Sequence, residues 1–354
     1  MARRPAPPDA SRRATIRDVA SAAGVSIATV SRVLGGTYPS APVTRSKVMR
    51  AVRDLGYVAN SHARALAGIS TKNVAIILNS VVSPFYAYVA QAVETQAAQE
   101  GRLVLISTTG GDLRRELGAV KLMQEEHADA VILVGNVVDS DEYRKRMAEY
   151  AHALASAGSQ LVLCGRPSLG PDVPAIVVEY DNAGGARAAT GHLLSAGHRR
   201  ILYLGHKPGY TTSEGRLSGY RDALDGYGVP FDAGLRVDGA TLERAEGHRL
   251  MRERLRAGEP DFTAVFAAND QIAAGARQAL LERGLRIPED ISLMGYDDLP
   301  PAVDIGLTTV HLPHDELGRT AVRLALRRDR DAVDDHVVLG THVVVRDSVR
   351  PVTA

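Results

Sequence analysis

A chain of 354 residues with 45% hydrophobic content, 23% charged residues and a single cysteine is long enough for two or three domains and has the composition of an ordinary globular protein. It contains no run of about 18 apolar residues, which excludes a membrane-spanning helix, and its start MARRPAPPDASRRAT has charge with no apolar stretch behind it, so no signal peptide is expected. The net charge of +1 hides a split: residues 1–70 hold 11 Lys and Arg against 3 Asp and Glu, a net of +8, which leaves −7 on the remainder. A small basic part joined to a large, mildly acidic one points to a polyanion as partner of the first, with nucleic acid the foremost candidate.

In chain order, residues 1–14 read as a disordered basic tail, rich in Pro, Ala and Arg. Thr15 with Asp18 three residues on is a capping-box start, and Ile16, Val19 and Ala20 then share one face of a helix. Gly24 ends that helix, and Ser26 caps the next, whose buried stripe is Val30, Val33 and Leu34. Two short helices joined by AAGVS make a helix-turn-helix pattern, and a third from about Thr44 to Leu55 turns Val48, Val52 and Leu55 inward and Arg45, Lys47, Arg50 and Arg53 outward. The second helix offers Ser31 and Arg32 beside small Ala28 and Thr29. A helix entering the major groove needs short side chains for close approach and an arginine for guanine O6 and N7 or a phosphate. Ile27 has two readings: a groove residue against a thymine methyl, or a core residue sharing the face of Val30 and Leu34. In NSHARALAG, residues 60–68, Asn60 or Ser61 can cap a helix favoured by Ala63, Ala65 and Ala67 but too short to hold its shape alone.

The run TIRDVASAAGVSIATVSRVL, followed by TRSKVMRAVRDLGYVANSHARALAG, resembles the DNA-binding head of the LacI/GalR family of bacterial transcription regulators over residues 15–68, almost without a gap. The resemblance implies a helix-turn-helix DNA-binding domain at 15–59 and a hinge helix with linker at 60–70. It puts Ile27, Ala28 and Arg32 at base edges and Ser26, Thr29 and Ser31 nearer phosphates, with Thr15 also in the DNA-contacting set. In the hinge it implies contacts from Asn60 and Ala63, and Leu66 as an apolar wedge that unstacks a central base step in the minor groove.

Beyond residue 71, short β-branched runs alternate with helical patterns: VAIIL, LVLIS, AVILV and LVLC form one series, and AIVVEY, ILYLG, TAVFAA and ISLMG a second. Two βα series imply two lobes with parallel sheets, and ligands in such folds sit at the carboxyl ends of strands. Cys164, in LVLC, reads as a buried inert thiol. The string FAANDQIAAGARQALLERGLRIPEDISLMGYDD, residues 266–298, resembles the effector-binding domain of the same family, so residues 71–354 are expected to be a two-lobe, periplasmic-binding-protein-like domain for effector binding and dimerisation. By that resemblance Asp297 contacts ligand hydroxyls, supported by Asn269 and Arg216. Phe85 and Tyr86 form an apolar wall, and Arg166 in CGRP is placed where the chain first crosses between lobes. Asp181 and Asn182 are read as a helix cap, and His311 and His314 in HLPH as loop residues without a third metal ligand.

The sequence has no GxSxG elbow, GxxxxGK loop or GxGxxG fingerprint, so neither catalysis nor a cofactor is expected. The reading is a sequence-specific regulator, in the repressor role, that binds near-palindromic double-stranded operator DNA as a homodimer. One short helix reads only a few base pairs, and a two-fold dimer doubles the site. The ending VVVRDSVRPVTA carries no leucine heptad for a tetramer. A sugar or related metabolite between the lobes is the expected allosteric effector, and the expected location is the cytoplasm, at the nucleoid.

Overall fold

In the computed structural model of the chain, residues 14–35, 41–57, 73–327 and 335–352 are described, and they fall into two units, a head within residues 1–71 and a body within 72–354. In the head, α1 (Ile16–Ala23) begins with the full capping box: Thr15 Oγ1 accepts the Asp18 N–H, and Asp18 Oδ2 accepts the Thr15 N–H at 2.7 Å. It ends on Gly24 at φ 65°, a left-handed conformation that glycine adopts without a Cβ penalty. Helix α2 (Ile27–Gly35) follows, with Ser26 Oγ accepting the Thr29 N–H at 3.1 Å. Helix α3 (Pro42–Asp54) starts two residues before the expected Thr44, because Pro42 occupies its first turn, where the missing N–H costs nothing. Val19, Ala20, Ala23, Val30, Val33, Val48 and Ala51 close the core of this unit.

The body begins with β1 (Asn73–Leu78), α4 (Pro84–Gln99), β2 (Leu103–Thr108), α5 (Leu113–Glu125), β3 (Ala130–Val134), α6 (Asp141–Ser156), β4 (Gln160–Cys164) and β5 (Ala175–Tyr180). With β11 (His336–Leu339) these strands form a parallel sheet in the order β11-β5-β4-β3-β1-β2. Helices α4 and α12 (His314–Ala325) cover one face, and α5 and α6 the other. AIVVEY, read above as the opening strand of the second lobe, is therefore β5 of the first sheet, paired with β4 from Leu161↔Ala175 to Cys164↔Val178. Residues 165–174 carry no helix, so the strand–helix rhythm breaks where the sheet does not.

The second lobe contains α7 (Asn182–Ser195), β6 (Ile201–His206), α8 (Thr211–Gly226), β7 (Arg236–Asp238), α9 (Arg244–Arg256), β8 (Ala264–Ala267), α10 (Asp270–Glu282), β9 (Ser292–Met294) and α11 (Pro300–Asp304). Its parallel sheet runs β7-β6-β8-β9, beside an antiparallel pair of β10 (Thr309–His311) and β12 (His342–Val344). The chain crosses between lobes after Tyr180, near Pro313 and near Gly340, and the Asp181 N–H donates to the Leu339 carbonyl at 3.0 Å, which ties two of these crossings together.

Candidate nucleic-acid interface and ligand cleft

The first turn of α2 stands clear of the head's core. Ile27 is 45% exposed and Ala28 is exposed, whereas Val30, one turn on, is fully buried. That excludes the core reading of Ile27: helical spacing aligns it with Val30, but the core that α1 and α3 build ends below it. Arg32 is exposed, and Thr29 and Ser31 are half-buried at the flank of the same face. Ser26 joins its cap to Thr29 through a hydroxyl pair at 2.9 Å. Thr15 spends its hydroxyl on Asp18 Oδ2, so its first task is to hold the start of α1. Arg45, Lys47, Arg50 and Arg53 are all exposed on α3. The exposed face of α2 thus presents short side chains and the Arg32 cation, the requirements for seating a helix in a groove lined with phosphates. The hinge residues Asn60, Ala63 and Leu66 lie outside the described residues.

In the body, a cleft of about 660 Å³ opens at the carboxyl ends of the strands, between Asn79, Phe85, Tyr86 and Asn136 of the first lobe and Lys207, Arg216, Asn269 and Asp297 of the second. Arg216 is the organising side chain of the second-lobe wall. Its Nε donates to Asn182 Oδ1 at 3.0 Å, Nη1 to the Ala268 carbonyl and Nη2 to Asp297 Oδ1 at 3.1 Å, while its guanidinium lies 3.8 Å over the Tyr296 ring. Burial pushes the Asp297 carboxyl up to about 6, against the pull of Arg216 toward the ionised form. Asn269 caps α10 by accepting the Ile272 N–H at 2.9 Å and donates its amide to the Leu242 carbonyl at 3.1 Å, fixing the rim formed by residues 241–244.

On the first-lobe wall, Phe85 packs edge-on against Tyr86 and Tyr180. Asn79 donates to the Tyr86 hydroxyl at 2.9 Å and accepts from Thr109 at 3.1 Å, so that phenol is aimed by its neighbours. Phe85, Tyr86, Arg216, Asn269 and Asp297 are therefore brought to one cleft, as expected from the sequence. Arg166 is not. It is buried behind β4, paired with Glu116 Oε2 at 2.8 Å and in contact with Met147, because the chain does not change lobes until Tyr180. Asn79, Asn136, Tyr180 and Lys207 line the cleft without having been singled out; each closes or follows a strand, which is the signal that marks them.

Other expectations resolve locally. Asp181 caps α7, accepting the Gly184 N–H at 2.7 Å. Cys164 is fully buried, and burial pushes its thiol up to about 12. His311 and His314 are not loop residues: His311 ends β10, with Nδ1 3.0 Å from Asp298 Oδ2, and His314 opens α12, buried. Among the described residues no three His, Cys, Asp or Glu side chains are grouped to hold a metal ion, and no helix is long and apolar enough to cross a membrane.

A helix-turn-helix head with an exposed second helix, joined in one chain to a two-lobed body with a polar cleft at its strand ends, defines a DNA-binding protein with a small-molecule site. The comparisons with known proteins agree. Residues 15–60 match the model of the bacterial regulatory proteins of the lacI family, and residues 190–349 match a periplasmic binding protein-like domain. The chain is 35% identical to the HTH-type transcriptional regulator CelR of Thermobifida fusca, over 95% of this chain and 98% of that protein. Among solved structures, a CelR–cellobiose complex is similar at 33% identity and TM-score 0.68, and a lac repressor dimer bound to operator and the anti-inducer ONPF at 27% identity and TM-score 0.80; the matches cover 95% and 96% of this chain and 100% of each of those chains. The chain belongs to the lacI family of bacterial regulatory proteins.

Proposed function

We propose that this chain is a transcriptional repressor that binds a near-palindromic operator as a homodimer and is controlled by a sugar or related polyhydroxy metabolite in the interlobe cleft. The observation that carries the proposal is the pairing, in one chain, of the exposed Ile27–Arg32 face with the Arg216–Asp297 wall of the cleft. In the head, Thr15, Ser26, Ile27, Ala28, Thr29, Ser31 and Arg32 support and make the DNA contacts of a domain spanning 15–59, and Asn60, Ala63 and Leu66 belong to a hinge at 60–70. In the body, 71–354, Asp297 accepts ligand hydroxyls, Asn269 and Arg216 fix its surroundings, and Phe85 and Tyr86 supply an apolar face for a sugar ring. CelR, solved with cellobiose, makes that disaccharide the first ligand to test.

Self-association has its own support. The edge strand β2 exposes Leu103 at 71% and Ile106 at 51%, and in the second lobe Leu281 and Val303 stand exposed on α10 and α11. A second copy of the chain would cover these apolar surfaces and supply the two-fold axis that an operator with two half-sites demands. Effector and operator then bias one equilibrium, with a reciprocal coupling of about 1 to 3 kcal/mol, or roughly 5- to 150-fold in DNA affinity. The protein works in the cytoplasm at the nucleoid, without catalysis: its relatives are named as regulators. Deleting residues 1–68 tests the division of labour. The shortened chain is expected to lose duplex binding and keep a sugar-induced rise in melting temperature; retention of sequence-specific DNA binding would refute it.

A further inference from the structure

We propose that Asp270 and Thr309 are positioning residues for ligand recognition, holding the turn 295–299 in the one shape that aims Asp297 into the cleft. The proposal rests on the reading that Asp297 receives the ligand. Asp297 and Asp298 are consecutive non-glycine residues in the positive-φ region, at 110° and 58°. Asp tolerates the left-handed region near 58°, but an L-residue holds φ near 110° only where the surroundings over-determine it. Because of this shape the two neighbouring carboxylates diverge: Asp297 meets Arg216 at the cleft, while Asp298 turns away to Arg346 at 2.7 Å and His311 at 3.0 Å.

Asp270 supplies the over-determination. It is fully buried and forms no part of the cleft lining. Its Oδ2 accepts the Leu299 N–H at 2.8 Å, at the far end of the turn, and its own N–H donates to the Tyr296 carbonyl at 2.8 Å, near the start. Its Oδ1 accepts the Thr309 hydroxyl at 2.6 Å, which anchors the carboxylate to β10. Gly295 comes so close that an added Cβ would lie 2.3 Å from Asp270 Oδ1, so a side chain at that position would push the carboxylate away. The consecutive residues Ala268, Asn269 and Asp270 thereby divide three tasks: a carbonyl for Arg216, a side chain in the cleft, and a clasp for the loop that carries Asp297.

The test uses the full chain with Thr309→Val, which keeps the shape and removes the hydroxyl, Thr309→Ser, which restores it, and Asp270→Asn, which keeps the size and replaces an acceptor by a donor. Asp297→Asn is the control for the cleft reading. Backbone hydrogen exchange across 295–299 and calorimetric binding of cellobiose are measured on each. Leaving a buried polar group at Asp270 without its partner predicts exchange in the turn faster by roughly 10- to 100-fold in Thr309→Val and Asp270→Asn, with strands β1 and β3 unchanged. Cellobiose affinity should fall by a comparable factor, and Thr309→Ser should recover both. Asp297→Asn should abolish cellobiose binding and leave the exchange slow. Wild-type exchange in both Thr309→Val and Asp270→Asn would overturn the proposal. Normal cellobiose binding by Asp297→Asn would instead overturn the reading on which it rests. A wild-type chain that does not bind cellobiose leaves the exchange comparison to decide.

Discussion

Replacing Arg216 by Met leaves the Asp297 carboxylate buried without its cation. The arginine is 6% exposed and bridges three separate pieces of the second lobe: the start of α7 through Asn182, the end of β8 through Ala268, and the turn after β9 through Asp297. Breaking a buried pair by removing one partner costs about 3 to 5 kcal/mol, because the remaining charge keeps its desolvation penalty and loses its compensation. Against a typical domain stability of about 5 to 15 kcal/mol, that is enough to unfold a marginal body at physiological temperature. Arg216→Lys keeps the charge, but one ammonium on a flexible stem does not reproduce a planar fork reaching three acceptors, and a loss of about 1 to 3 kcal/mol is expected. Urea denaturation followed by far-ultraviolet circular dichroism measures both variants. The Asp297 carboxyl, already raised to about 6, should titrate higher still in Arg216→Met, since Arg216 is what lowers it. Losses below about 1 kcal/mol in both variants would refute the picture of Arg216 as the keystone of the cleft wall.

Three further outcomes follow from the same structure. Effector affinity should decline as pH falls below about 6, where Asp297 becomes protonated and loses the charge that strengthens its hydrogen bonds to ligand hydroxyls; calorimetry across pH 4.5 to 8 checks it, and an affinity flat over that range would contradict the reading. Burial lowers His314 from an ordinary value near 6.5 to about 4. A depressed folded-state value means that its contribution is present above about pH 6.5 and is lost as pH falls toward 4, a total of about 3 kcal/mol that His314→Phe should remove from the acid side of the stability curve. Arg32→Ala should weaken operator binding by about 1 to 3 kcal/mol and make log affinity against log salt less steep, read by fluorescence anisotropy between 50 and 200 mM salt, a range over which phosphate contacts lose about 10³- to 10⁵-fold.

The head was legible almost residue by residue, because its signals are local. Thr15 and Asp18, Gly24 and Ser26 each act within three or four positions, and the capping box and left-handed turn they specify are present. Ile27 was not decided by spacing alone, since periodicity says which residues share a face and is silent on where the core stops. In the body, β1 to β6, β8 and β9 were visible as β-branched runs, while β7, β10, β11 and β12 were not; the rule that ligands meet strand ends pointed to Asn269 and Asp297, and the family resemblance added Arg216, which stands on α8. What failed was long-range. The assignment of β5 depends on pairing with β4, and β11 reaches the same sheet from about 150 residues further on, so the place where the chain changes lobes is a property of pairing and not of any motif. Arg166 was misplaced for that reason: a charged residue after a strand looks the same whether a cleft or a buried Glu116 lies ahead of it. The clasp by Asp270 is likewise invisible in ANDQ, because its partners Leu299 and Thr309 are 29 and 39 residues away.

The claim that one chain reads a symmetric DNA site through its head is tested most directly by selection from a random duplex pool, comparing the full chain with residues 72–354. The full chain should enrich a site with two half-sites related by a dyad, and the body alone should enrich nothing. Enrichment by the body, or a full-chain site with no two-fold symmetry, would contradict the account.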